Sequence, residues 1–90
     1  MSVTIHSTPN PNAHKYVLAQ WRILSPLNVS TAEKAATHPL AMRLFALPGI
    51  YNLLLAQDFV TVNKLPDSSW DEIDPQVTTI LNDYLKEQNL

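Results

Sequence analysis

Apolar and polar residues alternate from Val3 to Ser7, with β-branched members among them, which predicts a short strand. Thr8-Pro-Asn-Pro-Asn12 ends it: two prolines each fix φ and remove a backbone donor, and Asn10 and Asn12 favour Asx-type turns. His14 to Gln20 resumes the alternation, with Tyr16 and Leu18 on one face, so two neighbouring strands joined by a rigid loop are expected. Trp21 to Val29 carries no clear period; the strand is read as reaching Leu24 at most, before a loop around Pro26. Ser30-Thr-Ala-Glu33 has capping-box spacing, with Ser30 as the cap. Thr37-His-Pro39 offers a second helix start, and Leu40, Leu44 and Leu47 share a helical face before Pro48-Gly49. A helix over about 38–47 follows, with the place of 31–36 left open.

Ile50 to Ala56 and Phe59 to Lys64 flank the short connection Gln57-Asp58 and read as a β-hairpin, with Val60 and Val62 pointing one way and Thr61 and Asn63 the other. Ser69-Trp-Asp-Glu72 is another capping box, and Trp70, Ile73, Val77, Ile80, Leu81, Tyr84 and Leu85 recur at helical spacing towards the C-terminus. The expected order is β-β-α-β-β-α. The fold class is α+β: a small antiparallel sheet with two helices packed on one face.

Composition changes this picture mainly by exclusion. Ninety residues suffice for one domain, taken as 1–90, and an apolar share of 46% is that of a folded globular chain. With no cysteine there is no disulfide, no thiolate nucleophile and no thiolate metal ligand. The net charge is -2, and the basic residues are scattered rather than striped, which argues against nucleic acid as a partner. No apolar run is long enough for a bilayer and the N-terminus lacks a signal-peptide pattern, so a soluble, cytoplasmic protein is expected.

Catalytic machinery is not legible. A single glycine excludes a Gly-rich phosphate loop and a dinucleotide fingerprint, and a nucleophilic serine would have only unplaced partners. The histidines His6, His14 and His38 lie on three different elements, without the close pairing that zinc or iron favours. A weak metal or anion site from His6 and His14 across the first hairpin is the alternative reading. Asp67, Asp71, Glu72 and Asp74 are explained by the dipole of the last helix, and Trp70 and Tyr84 by the core. The segment Thr8 to Tyr16 stands apart, because a rigid loop rich in amides orders at low cost when a partner binds.

That segment also carries a resemblance. Thr8-Pro-Asn-Pro-Asn-Ala-His-Lys-Tyr16 resembles the opening signature of the N-terminal domain of Nfu/NifU-type iron–sulfur scaffold proteins. His38-Pro-Leu-Ala-Met-Arg-Leu-Phe-Ala-Leu-Pro-Gly-Ile50, Asp58-Phe-Val-Thr-Val-Asn-Lys64 and the Trp70-x-x-Ile73-x-Pro75 helix start are similar to its later blocks, in the same order and spacing. His38 departs from a frequent serine, His14 from a frequent apolar residue or serine, and 22–37 matches no block. Complete Nfu proteins carry a second, Cys-x-x-Cys domain, so this chain resembles the free-standing N-terminal form. The resemblance implies a cofactor-free, non-enzymatic domain that binds protein partners in iron–sulfur cluster assembly or delivery and is not itself a thiolate cluster carrier. Asn10, Pro11, Asn12, His14 and Lys15, joined by Arg43, are expected to form the partner surface.

Overall fold

The computed structural model describes residues 3–19 and 21–88, except for the side chain of Leu24. The elements are β1 (Val3–Ser7), β2 (Ala13–Leu18), β3 (Ile23–Val29), α1 (Ala32–Ala35), α2 (Pro39–Phe45), β4 (Ile50–Gln57), β5 (Phe59–Lys64) and α3 (Trp70–Glu87). The strands form one antiparallel sheet in the order β1-β2-β5-β4-β3. Helices cover one face of it, so the α+β class and the one-sided layering are as the sequence predicts. The expected end of the second strand, Gln20, and the last two residues of the chain lie outside the described residues.

Register shows how the two faces divide. One transverse row reads Ile5–Tyr16–Val60–Leu55–Leu27, and its neighbour reads Ser7–His14–Val62–Leu53–Val29. Because paired residues point to the same side, these rows make up the helix-covered face. Tyr16, Val29, Leu53, Leu55, Val60 and Val62 are fully buried there. Leu40, Ala41 and Leu44 of α2 and Ile73, Val77, Leu81 and Leu85 of α3 close over them in one apolar cluster. The row between, His6–Lys15–Thr61–Leu54–Asn28, lies on the open face. On that face Asn63, Asn52 and Asn28 form an amide ladder across three strands, with bonds of 3.1 and 3.0 Å.

Two departures from the expected order have clear causes. β3 is a strand in its own right, although Pro26 stands in its middle. β3 is a sheet edge, and its register against β4 breaks between Ile23 and Leu27, so the proline falls where the ladder needs no donor. The first helical region is two short helices rather than one. The cap of α1 is Thr31, not Ser30: its Oγ1 accepts from Lys34 N at 3.1 Å. Lys34 O and Ala35 O then accept from Thr37 N and His38 N, and the chain restarts at α2.

At that restart the side chain of His38 is the N-cap, its Nδ1 accepting from Leu40 N at 3.2 Å, with Pro39 in the first turn. The position filled in the family pattern by serine is therefore a capping position, and a neutral imidazole does the same work. Burial holds His38 below the usual histidine range. A depressed pKa means that this contribution is complete above the unfolded value and fades as pH falls through the folded one. His38→Ser should keep the helix, since serine is a good cap, and should flatten the loss of stability on acidification. Urea unfolding midpoints measured from about pH 7.5 down to about pH 5 check this.

α2 ends at Phe45 with Ala46 as its C-cap, and Gly49 then turns the chain into β4 with φ +88°, a backbone region that favours glycine. A Cβ there would also lie 2.8 Å from Ser68 Cβ, on the loop that leads into α3. Gly49→Ala should therefore cost about 2 kcal/mol or more, measured by the same denaturation.

Candidate functional site

The Thr8–Asn12 loop is held first by its own atoms. Thr8 Oγ1 accepts from Asn10 N at 3.1 Å and lies within bonding reach of Asn10 O and Ala13 O. Asn10 Oδ1 accepts from Asn12 N at 2.9 Å, the Asx turn that the sequence predicts, and Ala13 N donates to Asn10 O at 3.0 Å. The two prolines restrict the unbonded positions between.

The rest of the protein then grips this loop from two sides. From β5, Lys64 N donates to Asn12 O at 2.8 Å, while Lys64 Nζ donates to Asn12 Oδ1 at 3.1 Å and to Leu65 O at 3.3 Å. Lys64 is only 7% exposed, and its ammonium also sits 5.8 Å from the Trp70 ring. From α3, Trp70 Nε1 donates to Pro11 O at 3.0 Å, and the indole stacks flat on His14 with centroids 3.7 Å apart.

Asp74, one helical turn beyond Trp70, completes the grip. Its Oδ1 accepts from the Tyr16 hydroxyl and lies 3.0 Å from His14 Nδ1, which donates to it in the corresponding tautomer. Burial, reinforced by the Asp74 hydrogen bond, pushes the Tyr16 phenol well above the usual tyrosine range. Ser69 Oγ caps the helix at 3.2 Å from Asp71 N and fixes where Trp70 and Asp74 project.

The residues expected to form one partner surface are thus distributed differently. Pro9, Asn10 and Pro11 are exposed. Asn12 and His14 instead spend their side chains on Lys64, Trp70 and Asp74. Lys15 projects from the opposite face of β2, its Nζ 4.4 Å from the Phe59 ring. Arg43 is far away: it makes a bidentate pair with Glu87 at 2.9 and 2.7 Å, at the other end of α3. The 17-residue interval from Trp70 to Glu87 spans roughly 25 Å of helix. Hydrogen bonds from Arg43 hold the Glu87 carboxyl below its usual range.

His6 and His14 do not face each other. His6 pairs with Lys15 on the open face, while His14 lies on the helix-covered face. Among the described residues no group of three or more His, Asp or Glu side chains is arranged to hold a metal ion. Sequence reasoning missed Lys64, read only as part of β5, and it missed Asp74 and Trp70, for which helix-dipole and core readings accounted. Their spacing of four residues, one helical turn, was the available signal. Chemically the arrangement is a clamp that fixes the backbone of the loop.

The small antiparallel sheet and its one-sided helical cover define an α+β domain whose Pro-Asn loop is clamped from β5 and α3. Residues 3–88 match the family described as scaffold protein Nfu/NifU N terminal, and the chain belongs to that family. It is 28% identical over 85 residues to NifU-like protein 5, mitochondrial, of Arabidopsis thaliana, covering 93% of this chain and 31% of that protein. It is 30% identical over 89 residues to the NFU1 iron-sulfur cluster scaffold homolog, mitochondrial, of Drosophila erecta, covering 93% and 30%. The chain thus spans about three tenths of the length of these relatives. The solution structure of a NifU-like protein from Saccharomyces cerevisiae superposes with a TM-score of 0.82 at 28% identity, over 96% of this chain and 79% of that one.

Tyr16→Phe should lower stability by about 1–2 kcal/mol at neutral pH, because Asp74 loses a donor. The raised phenol pKa also predicts an alkaline effect. The folded state holds that proton more tightly, so its stabilisation is complete below the unfolded value of 10.0 and declines as pH rises past it. Urea unfolding between about pH 8 and about pH 11 should show a shallower decline in the variant than in the wild type.

Proposed function

We propose that this chain is a non-catalytic, protein-binding accessory domain in iron–sulfur cluster assembly or delivery. It does not carry a cluster on its own thiolates, since it has no cysteine to offer. Membership of the Nfu/NifU N-terminal family supports the pathway, and the names of the relatives supply its chemistry. One observation carries the binding role: the Thr8–Asn12 loop is locked from within and clamped from β5 and α3, yet leaves Pro9, Asn10 and Pro11 exposed. A surface ordered in advance binds without the entropy loss of a flexible loop. The reading narrows the contact set to Pro9, Asn10 and Pro11, with Asn12 and His14 as supports and Lys15 and Arg43 on separate surfaces.

The reading is compatible with two compartments. A cysteine-free chain needs no oxidising environment and suits the cytoplasm, and the Arabidopsis and Drosophila relatives are named as mitochondrial. Among the described residues no helix is long and apolar enough to cross a membrane.

Asn10→Asp separates recognition from folding. It keeps the Oδ1 that accepts from Asn12 N and replaces the outward amide donor by a carboxylate oxygen. Affinity capture from native extract with mass spectrometry should recover cluster-assembly or cluster-receiving proteins with the wild type. Recovery should fall at least about tenfold with Asn10→Asp, at an unchanged unfolding midpoint. Equal recovery by both baits would remove the loop from the contact, and recovery by neither would end the adaptor reading.

A further inference from the structure

The free backbone groups of β1 follow from the ladder beside it. Leu18 N donates to Asp58 O, and Asn12 O accepts from Lys64 N, so the even-numbered residues of β2 direct their backbone groups to β5. The odd-numbered residues Lys15 and Val17 therefore bond to β1, where they pair with His6 and Thr4. Val3, Ile5 and Ser7 are left with three N–H and three C=O groups directed away from the sheet, along its edge.

The two edges of this sheet are not alike. β3 carries a proline and a register break, devices that blunt an edge against further pairing. β1 has neither: its register with β2 is continuous over all five residues, and Val3-Thr-Ile-His-Ser7 contains no proline, lysine, aspartate or glutamate. At its centre Ile5 is 41% exposed, on the helix-covered face.

We propose that β1 is a self-association edge, pairing antiparallel with β1 of a second copy about a two-fold axis at Ile5. In that register Ile5 opposes Ile5 and Val3 opposes Ser7. Among the described residues these are the three of β1 whose backbone groups face away from the sheet, so six hydrogen bonds form and no edge group of Val3–Ser7 is left over. A shift by one residue would oppose free groups to used ones, and a shift by two would leave some unpaired. The two exposed Ile5 side chains cover each other, and His6 meets Thr4 rather than a like charge. A two-fold axis perpendicular to the sheet keeps both sets of helices on one side, so the doubled sheet has ten strands with the same one-sided cover. This self-complementarity, with no charge to select a different sequence, is what favours a second copy over an unrelated extended peptide. The contact is small, so the dimer is weak and exchanging. The inference does not depend on the proposed function.

Sedimentation velocity and amide hydrogen exchange on the whole chain, from about 10 µM to about 1 mM, test it. The weight-average mass should rise towards twice the monomer over this range, and exchange at Val3, Ile5 and Ser7 should slow with concentration while that at Thr4 and His6 stays constant. Ile5→Lys, which sets two cations against each other at the axis, should hold the chain monomeric with an unchanged unfolding midpoint, and Ile5→Val should still dimerise. A monomer at every concentration would overturn the proposal, as would a dimer that tolerates Ile5→Lys. A monomeric wild type whose capture of partner proteins nonetheless depends on Ile5 would overturn it too, leaving the edge to a foreign peptide.

Discussion

The position of α3 depends on one carboxylate. Apolar contact with Ile73, Val77, Leu81 and Leu85 holds the helix to the sheet, but such contact is non-directional and tolerates sliding along the sheet. Asp74 removes that freedom, because its Oδ1 must meet both the Tyr16 hydroxyl and His14 Nδ1, which lie two residues apart on β2. Once it does, Trp70 is carried onto the His14 ring, and its indole N–H reaches Pro11 O. Loop, sheet and helix are thereby joined through groups that a mere change of apolar residues would not replace. The arrangement is partly buried, so a lost donor there leaves an acceptor that water satisfies poorly.

Elements whose signals are local were legible in the sequence. β1, the β4–β5 hairpin and α3 each announce themselves by period, turn chemistry or cap, and the alternation of Val60, Val62, Thr61 and Asn63 holds as read. β3 was not legible, because Pro26 is a strong local argument against a strand. Only its place at an edge, a property of the whole sheet, makes the proline harmless. The division into α1 and α2 was half visible. Thr37-His-Pro39 marked the second start, but the neighbouring Ser30 and Thr31 compete for the first cap and geometry chose Thr31.

The candidate site divides along the same line. Turn-forming asparagines and prolines made the loop readable, but the groups that hold it come from about sixty residues away. An acidic residue near a helix start is sufficiently explained by the dipole, so the four-residue spacing from Trp70 was the one local hint, and it does not say that Asp74 is bonded to β2. Arg43 shows the reverse error. Its block lies in a recognisable motif, yet motif order along a chain says nothing about distance in space, and the helix separates it from the loop. Lys15 and His14 are adjacent in sequence and fall on opposite faces because a strand alternates.

The clamp also bears on how a loop of this composition can act. Its asparagines look like a row of free hydrogen-bonding groups, but the Oδ1 of Asn12 is committed to Lys64 Nζ and that of Asn10 to Asn12 N. In the proposed role, what the loop would offer a partner is modest in polar content and high in shape: two exposed proline rings and the amide donor of exposed Asn10 on a fixed backbone. In that role, recognition by such a surface would rest on complementarity of form with few charged contacts, and its specificity would be set by the geometry that β5 and α3 impose. A substitution at Lys64, Trp70 or Asp74 would then alter recognition without touching the partner, by releasing the backbone whose shape is read.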